Sequence, residues 1–317
     1  METQRKKRLR KKEETPRLSP LMLALKALHS AGTPETMDPE ELEKQRRNQE
    51  ILGRLTAPMA GMDWEEFDLC GMEAAWTRLQ APHGGQHAVL YCHGGGYTSG
   101  NLGYSRVLSS KIASVTGYDV LSFEYRLAPE FPYPAALEDA RRAWDYLLQA
   151  GYAPDRIILA GDSAGGNLAL CLCQWLKAEG QALPGALVLM SPWTDMTMSG
   201  ESYSQRAEID PMLTPEYIRT VRVAYAGQRD FSDPFLSPLF GEFHGFPPTL
   251  IQVGDHEILY SDSASLAETM EKQGVRCRLE VSEGMWHVFQ IFPTRKAAAA
   301  MQSIPRFLLE QASYGAR

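Results

Sequence analysis

A serine hydroxyl attacks a carbonyl usefully only when three helpers are in place. A base takes its proton, an acid orients that base, and amide donors await the charge that develops on the carbonyl oxygen. Gly161-Asp162-Ser163-Ala164-Gly165 fits the G-x-S-x-G elbow, a sharp strand-to-helix turn that exposes its serine. The apolar run Ile157-Ile158-Leu159-Ala160 precedes it and a helical pattern follows, which is the context the motif needs. In this arrangement acid and base lie beyond the serine in the chain. Of seven histidines, His244, His256 and His287 remain. His287, in Gly284-Met285-Trp286-His287-Val288-Phe289, follows the last strand pattern and is the expected base. His244 falls in an insertion, and His256 sits beside the expected acid. That acid is Asp255, directly after Thr249-Leu250-Ile251-Gln252-Val253-Gly254, with Glu257 and Asp262 as rivals further along. His93-Gly94-Gly95-Gly96-Tyr97 closes an earlier apolar strand. Backbone without side chains can approach an oxyanion closely, so this run and the Ala164 amide are the expected oxyanion donors. His93 itself is read as a structural hydrogen-bonder.

These groups meet only if strands deliver them to one edge. Strand patterns fall at 65–70, 72–79, 88–92, 120–125, 157–161, 186–190, 249–253 and 276–282, and helical patterns at 104–116, 134–150, 163–179, 260–273 and 295–311. Apolar strands alternating with helices predict an α/β fold, a mostly parallel sheet with helices on both faces. Two segments break the alternation. Residues 17–55 read as helical, with Leu21, Leu25 and Leu28 on one face. Residues 200–247 are rich in Pro, Gly and aromatics, with a helical piece near 214–226. The expected organisation is cap helices over 1–55 and a catalytic domain over 56–317 carrying a cap insertion at about 200–247. Leu21, Met22, Leu25, Met212, Leu213 and Tyr217 are the expected pocket wall, with Tyr97 and Trp286 flanking the chemistry.

Composition removes several other classes. A net charge of −7 gives no global drive toward nucleic acid. The basic run from Arg5 to Lys12 is followed by Glu13, Glu14 and Pro16, so it reads as a solvated helix face and not as a secretory leader. No run of about 18 apolar residues predicts a membrane span. Cys70, Cys92, Cys171, Cys173 and Cys277 are odd in number and lack zinc-site spacing, which predicts reduced thiols, a cytoplasmic setting and no metal.

Together the segments resemble the hormone-sensitive lipase family of α/β-hydrolases, in particular its bacterial esterase branch. The resemblance rests on the glycine run from His93 to Tyr97, Glu124-Tyr125-Arg126-Leu127-Ala128-Pro129-Glu130, Gly161 to Asn167, Ser191-Pro192-Trp193 and Gly284 to Phe289. It implies the α/β-hydrolase fold with an eight-stranded sheet, a helical cap, no cofactor and no metal. It also implies a Ser163-His287-Asp255 triad acting on short- to medium-chain acyl esters. Two glycines of the run would join Ala164 in the oxyanion hole, Gly95 with Gly94 or Gly96. The Glu124–Glu130 segment reads as a structural brace. Many members carry Asp-Pro-Leu-x-Asp-Glu around the acid, and this chain has Asp255-His256-Glu257-Ile258-Leu259-Tyr260. That departure points to the branch with lactone-cleaving and short-chain esterases. The implied partners are a small-molecule ester and, by family analogy, a second copy in a homodimer. Two rival functions share the scaffold, a non-catalytic ligand-binding protein and a serine amidase.

Overall fold

Strands too apolar to face water on either side form the centre of one eight-stranded sheet in the computed structural model, which describes residues 22–23, 37–44, 46–47, 59–81 and 86–315. The strands are β1 (Met62–Asp68), β2 (Glu73–Leu79), β3 (Ala88–Cys92), β4 (Asp119–Phe123), β5 (Ile157–Asp162), β6 (Ala186–Met190), β7 (Thr249–Gly254) and β8 (Cys277–Ser282). They lie side by side in the order β1-β2-β4-β3-β5-β6-β7-β8. β1 and β2 run antiparallel to their neighbours, and every pair from β4 to β8 is parallel. Every residue of β3 to β7 is buried, as expected where helices cover both faces.

The predicted strand 65–70 starts and ends earlier than its composition suggests. Leu69 and Met72 exchange backbone hydrogen bonds at 2.7 and 3.2 Å, and Cys70 and Gly71 between them have φ of 54° and 84°. Two consecutive positive φ values make a tight hairpin turn and stop the strand at Asp68.

Among the described residues the longer helices are α1 (Leu102–Thr116), α2 (Ala135–Gln149), α3 (Ala164–Ala178), α4 (Pro215–Ala226), α5 (Tyr260–Lys272) and α6 (Arg295–Gly315). Strand residues sort to the two faces with period two. Leu90, Leu159, Leu187 and Ile251 pack with α2, α3 and α5, while Val89, Ile158, Val188 and Leu250 pack with α1 and α6. The insertion feeds the first of these cores through Leu213, Ile218, Val221, Tyr225 and Leu236. Its helix α4 starts where local chemistry dictates: Thr214 caps it by accepting from the Tyr217 N–H at 3.1 Å, and Pro215 occupies the first turn.

Of the N-terminal segment, Met22 packs on Trp286, Phe289 and Ala297, while Leu21 and Leu25 lie outside the described residues. Arg46 pairs with Glu130 at 2.8 Å and donates to the carbonyls of Thr98 and Ala128, each at 2.8 Å. It thereby ties this segment to the loop that follows the glycine run. The stretch around Glu124 is a brace: Glu124 accepts the Leu102 N–H, and Arg126 pairs with the buried Asp139 at 2.9 Å. Among the described residues no helix is long and apolar enough to cross a membrane.

Candidate active site

The serine stands where β5 must become α3 within one residue. Ser163 has φ 53° and ψ −121°, a conformation that side chains rarely adopt and that costs on the order of 1–3 kcal/mol. Its neighbours hold it there. The Ser163 N–H donates to the Met190 carbonyl at 3.0 Å, and the Ser163 carbonyl accepts from Trp193 at 3.0 Å. The flanking glycines are steric necessities. A Cβ on Gly161 would overlap the Gly165 carbonyl, and one on Gly165 would overlap the carbonyls of Cys92 and His93. The motif thus lets α3 start directly against the end of β3.

His287 reaches the serine from the loop after β8. Its Nε2 lies 2.9 Å from Ser163 Oγ and its Nδ1 lies 2.8 Å from Glu257 Oε2. The carboxylate on the imidazole is therefore Glu257, and the expectation of Asp255 there is corrected. Asp255 Oδ1 instead holds His256 Nδ1 at 2.6 Å and the Gly284 N–H at 2.5 Å, and its side chain is 29% exposed. The cause lies in the turn after β7. The Met285 backbone lies so close that any Cβ on Gly254 would strike its carbonyl, and the His256 N–H donates to that same carbonyl at 2.9 Å. The turn therefore carries residue 255 outward and curls residue 257 beneath the sheet edge. There Glu257 Oε1 accepts the Gly254 N–H at 2.6 Å and the Ser191 hydroxyl at 2.8 Å. Ser191 Oγ in turn accepts the Val288 N–H at 3.1 Å, which fixes the backbone just after His287. Glu257 is fully buried, with both oxygens occupied.

Burial alone would push the His287 pKa down. The hydrogen bond and charge of Glu257, followed by the charges of Asp210 and Asp162, outweigh it and hold the imidazole above its ordinary 6.5. A neutral ring that accepts the Ser163 proton at Nε2 must carry its own proton on Nδ1, and the Glu257 carboxylate fixes that tautomer.

The glycine run turns tightly beside the serine. Gly95 and Gly96 have φ of 122° and 62°, and the N–H groups of Thr98 and Ser99 fold back onto the Gly95 carbonyl at 3.1 and 3.0 Å. Gly94 does not offer its amide to the site: that N–H donates to Asp162 Oδ1 at 3.0 Å. Asp162 is buried beneath the run and also accepts the hydroxyls of Tyr91 and Tyr104. Among the described residues no protein acceptor takes the Gly95 or Gly96 amide. The Ala164 amide, in the first turn of α3, lacks an intrahelical partner by its position. His93 is a brace, with Nδ1 2.8 Å from the Gly94 carbonyl and its ring stacked on Tyr125 at 4.1 Å. Burial lowers its pKa to about 4, so the ring is neutral and Nδ1 donates.

Ser163, His287, Gly95 and Gly96 open on a mainly apolar cavity of about 120 Å³. Met212, Leu213 and Tyr217 from the insertion line it, as their pattern predicts. Tyr97 and Trp286 do not. Tyr97 has φ 64°, which turns its ring away to stack on Tyr225 at 3.7 Å, with its hydroxyl on Asn167 at 2.7 Å. Trp286 is 2% exposed and packs edge to face on Phe292. Met22 touches this second cluster and not the cavity. Sequence reasoning missed Tyr104, Trp193, Ile218 and Phe292, all of which line the cavity. Tyr104 has a local signal, since Asn101 caps α1 by accepting the Tyr104 N–H at 2.9 Å, and Trp193 stands in the Ser191-Pro192-Trp193 segment; Ile218 and Phe292 have none beyond being apolar.

Residues 89–291 match a family described as the alpha/beta hydrolase fold. The chain is 38% identical over 243 residues to an acetyl-hydrolase of Streptomyces hygroscopicus, covering 77% of this chain and 79% of that protein. It is 37% identical over 237 residues to an esterase of Acinetobacter venetianus, covering 73% and 78%. Among solved structures, an esterase from the bacterial hormone-sensitive lipase family superposes with a TM-score of 0.84 at 35% identity, covering 93% of this chain and 99% of that one.

Proposed function

The chain belongs to the hormone-sensitive lipase family of α/β-hydrolases, and on that premise we propose that it hydrolyses short- to medium-chain carboxylic esters through an acyl-enzyme on Ser163. The observation that carries the reading is the unbroken chain of contacts from Ser163 Oγ to His287 Nε2 and from His287 Nδ1 to Glu257 Oε2, at 2.9 and 2.8 Å.

In this mechanism Ser163 Oγ attacks the ester carbonyl as His287 Nε2 takes its proton. The positive charge on the ring is met by Glu257. The carbonyl oxygen becomes an oxyanion held by the amides of Gly95, Gly96 and Ala164. Each such donor contributes on the order of 3 kcal/mol to the transition state. Collapse breaks the C–O bond, and His287 returns its proton to the departing alcohol. Water then enters, His287 deprotonates it, and the same sequence releases the carboxylic acid and restores the Ser163 hydroxyl.

The cavity favours small acyl groups. Away from the catalytic groups its wall is mainly apolar, with Leu213, Ile218 and Trp193 among others, so it offers an acyl chain burial. A fluorophosphonate probe should label the wild-type protein stoichiometrically at Ser163. On a series of p-nitrophenyl esters, kcat/KM should peak between acetate and hexanoate and fall for decanoate. A protein that takes no label and turns over no ester would be a binding protein on this scaffold, and the reading would be wrong.

A cytoplasmic setting and a homodimer belong to the same reading. Free thiols at Cys70, Cys92, Cys171, Cys173 and Cys277 suit the first. A native mass near twice 35.4 kDa by light scattering is the result expected of the second, and a mass of one chain would dismiss it.

A further inference from the structure

One buried carboxylate near the site takes no part in the steps above. Asp210, in the insertion, is 1% exposed. Its Oδ1 accepts the N–H groups of Met212 at 2.7 Å and Leu213 at 3.0 Å. Its Oδ2 accepts the Ile258 N–H, from the far side of the site, at 2.8 Å. Among the described residues no lysine or arginine forms an ion pair with it. Met212 and Leu213 are cavity wall, and Ile258 directly follows Glu257. We propose that Asp210 is a positioning residue that locks the acyl wall to the loop bearing Glu257, an inference that rests on the hydrolytic reading of the site.

An Asx turn would explain half of this. A side-chain oxygen that accepts the N–H two residues on is a common local turn, and asparagine serves as well as aspartate. It does not account for the bond from Oδ2 to Ile258, 48 residues away, or for a charge kept in a dry seam. Asparagine can keep the Oδ1 bonds, but it turns an NH2 donor against the Ile258 N–H and removes the charge. The two roles therefore separate experimentally.

The sign of the charge effect follows from what surrounds His287. Glu257 contacts it from the loop after β7, and the charges of Glu257, of Asp210 in the insertion and of Asp162 at the end of β5 all raise its pKa. Around Asp210 the group that favours its ionised form by charge is His287, while burial lifts the carboxyl to about 6. Asp210 is therefore ionised at neutral pH. Deleting that charge lowers the pKa of His287, so the base stays neutral to lower pH and the acid limb of activity moves down.

The test compares wild type, Asp210→Asn and Asp210→Ala, with rates expressed per fluorophosphonate-titrated site. In Asp210→Asn the acid limb of kcat/KM should shift down by about half a pH unit, and kcat at pH 8 should fall about fivefold with the loss of one buried hydrogen bond. Its ratio of acetate to hexanoate turnover should stay at the wild-type value, because the Oδ1 bonds to the wall survive. In Asp210→Ala that ratio should change as well. An Asp210→Asn enzyme with the wild-type acid limb and kcat, whatever its melting temperature, would reduce Asp210 to a local turn and overturn the proposal. The asparagine variant is sufficient for that outcome, so poor folding of the alanine variant does not rescue the idea. Absence of ester turnover in the wild type is a different failure, that of the hydrolytic reading itself.

Discussion

Replacing Ser163 with alanine is expected to leave a folded protein that hydrolyses p-nitrophenyl butyrate about a millionfold more slowly than wild type. The fold should tolerate the change because the backbone at this position, and not the hydroxyl, makes the structural contacts with Met190 and Trp193. Alanine cannot relieve the positive φ of 53°, but it adds no bulk to it. Among the described residues the hydroxyl has one partner, His287 Nε2, so its loss strands no other buried group there. Circular dichroism should show native helix content, and fluorophosphonate labelling should vanish with activity. Residual turnover within a hundredfold of wild type would mean that another nucleophile does the chemistry.

The second large effect separates two neighbouring carboxylates. Glu257→Gln should lower kcat about ten-thousandfold, through the wrong imidazole tautomer. The glutamine oxygen is claimed by the Gly254 N–H and the Ser191 hydroxyl, which both donate to Glu257 Oε1. Its NH2 group is then turned toward His287 Nδ1, which must accept. The ring proton moves to Nε2 and points at Ser163, so the base is blocked. Asp255→Asn, by contrast, retains an acceptor for the Gly284 N–H and should cost less than about tenfold, the scale of one hydrogen bond. Parallel kcat measurements on the two variants decide the matter. The opposite ranking, with Asp255→Asn the crippled enzyme, would mean that the loop after β7 is arranged differently during turnover.

The contrast between these two residues also marks how far the chain could be read before it was folded. The nucleophile, the base and the glycine run are local signals. Ser163 is flanked by glycines because the turn excludes a Cβ, and that demand is written within five residues. His287 follows from chain order once the strands are counted, and the strands follow from apolar runs and their period. The sheet order is less local, but alternation with helices leaves few ways to wind a parallel sheet. Leu213 and Tyr217 were legible as wall because they sit at the start of a capped amphipathic helix that had no other sheet to cover.

The acid was not legible. Asp255 and Glu257 are two residues apart, and both follow an apolar strand. Which of them faces inward depends on the Met285 carbonyl pressing on Gly254, a contact across 31 positions of sequence. Tyr97 and Trp286 adjoin the glycine run and His287 in sequence, yet a positive φ and a stack on Tyr225 remove one, and a cluster with Phe289 and Met22 absorbs the other. Gly94 looked like an oxyanion donor until Asp162, 68 residues later, claimed its amide. Sequence alone determined which elements form, in what order they deliver a serine, a histidine and a glycine run to one edge, and therefore the class of chemistry at that edge. Tertiary structure alone decided which carboxylate serves the histidine, which amides stay free and which side chains line the cavity. Those choices are made by groups distant in sequence that compete for the same few hydrogen bonds and the same few cubic ångströms.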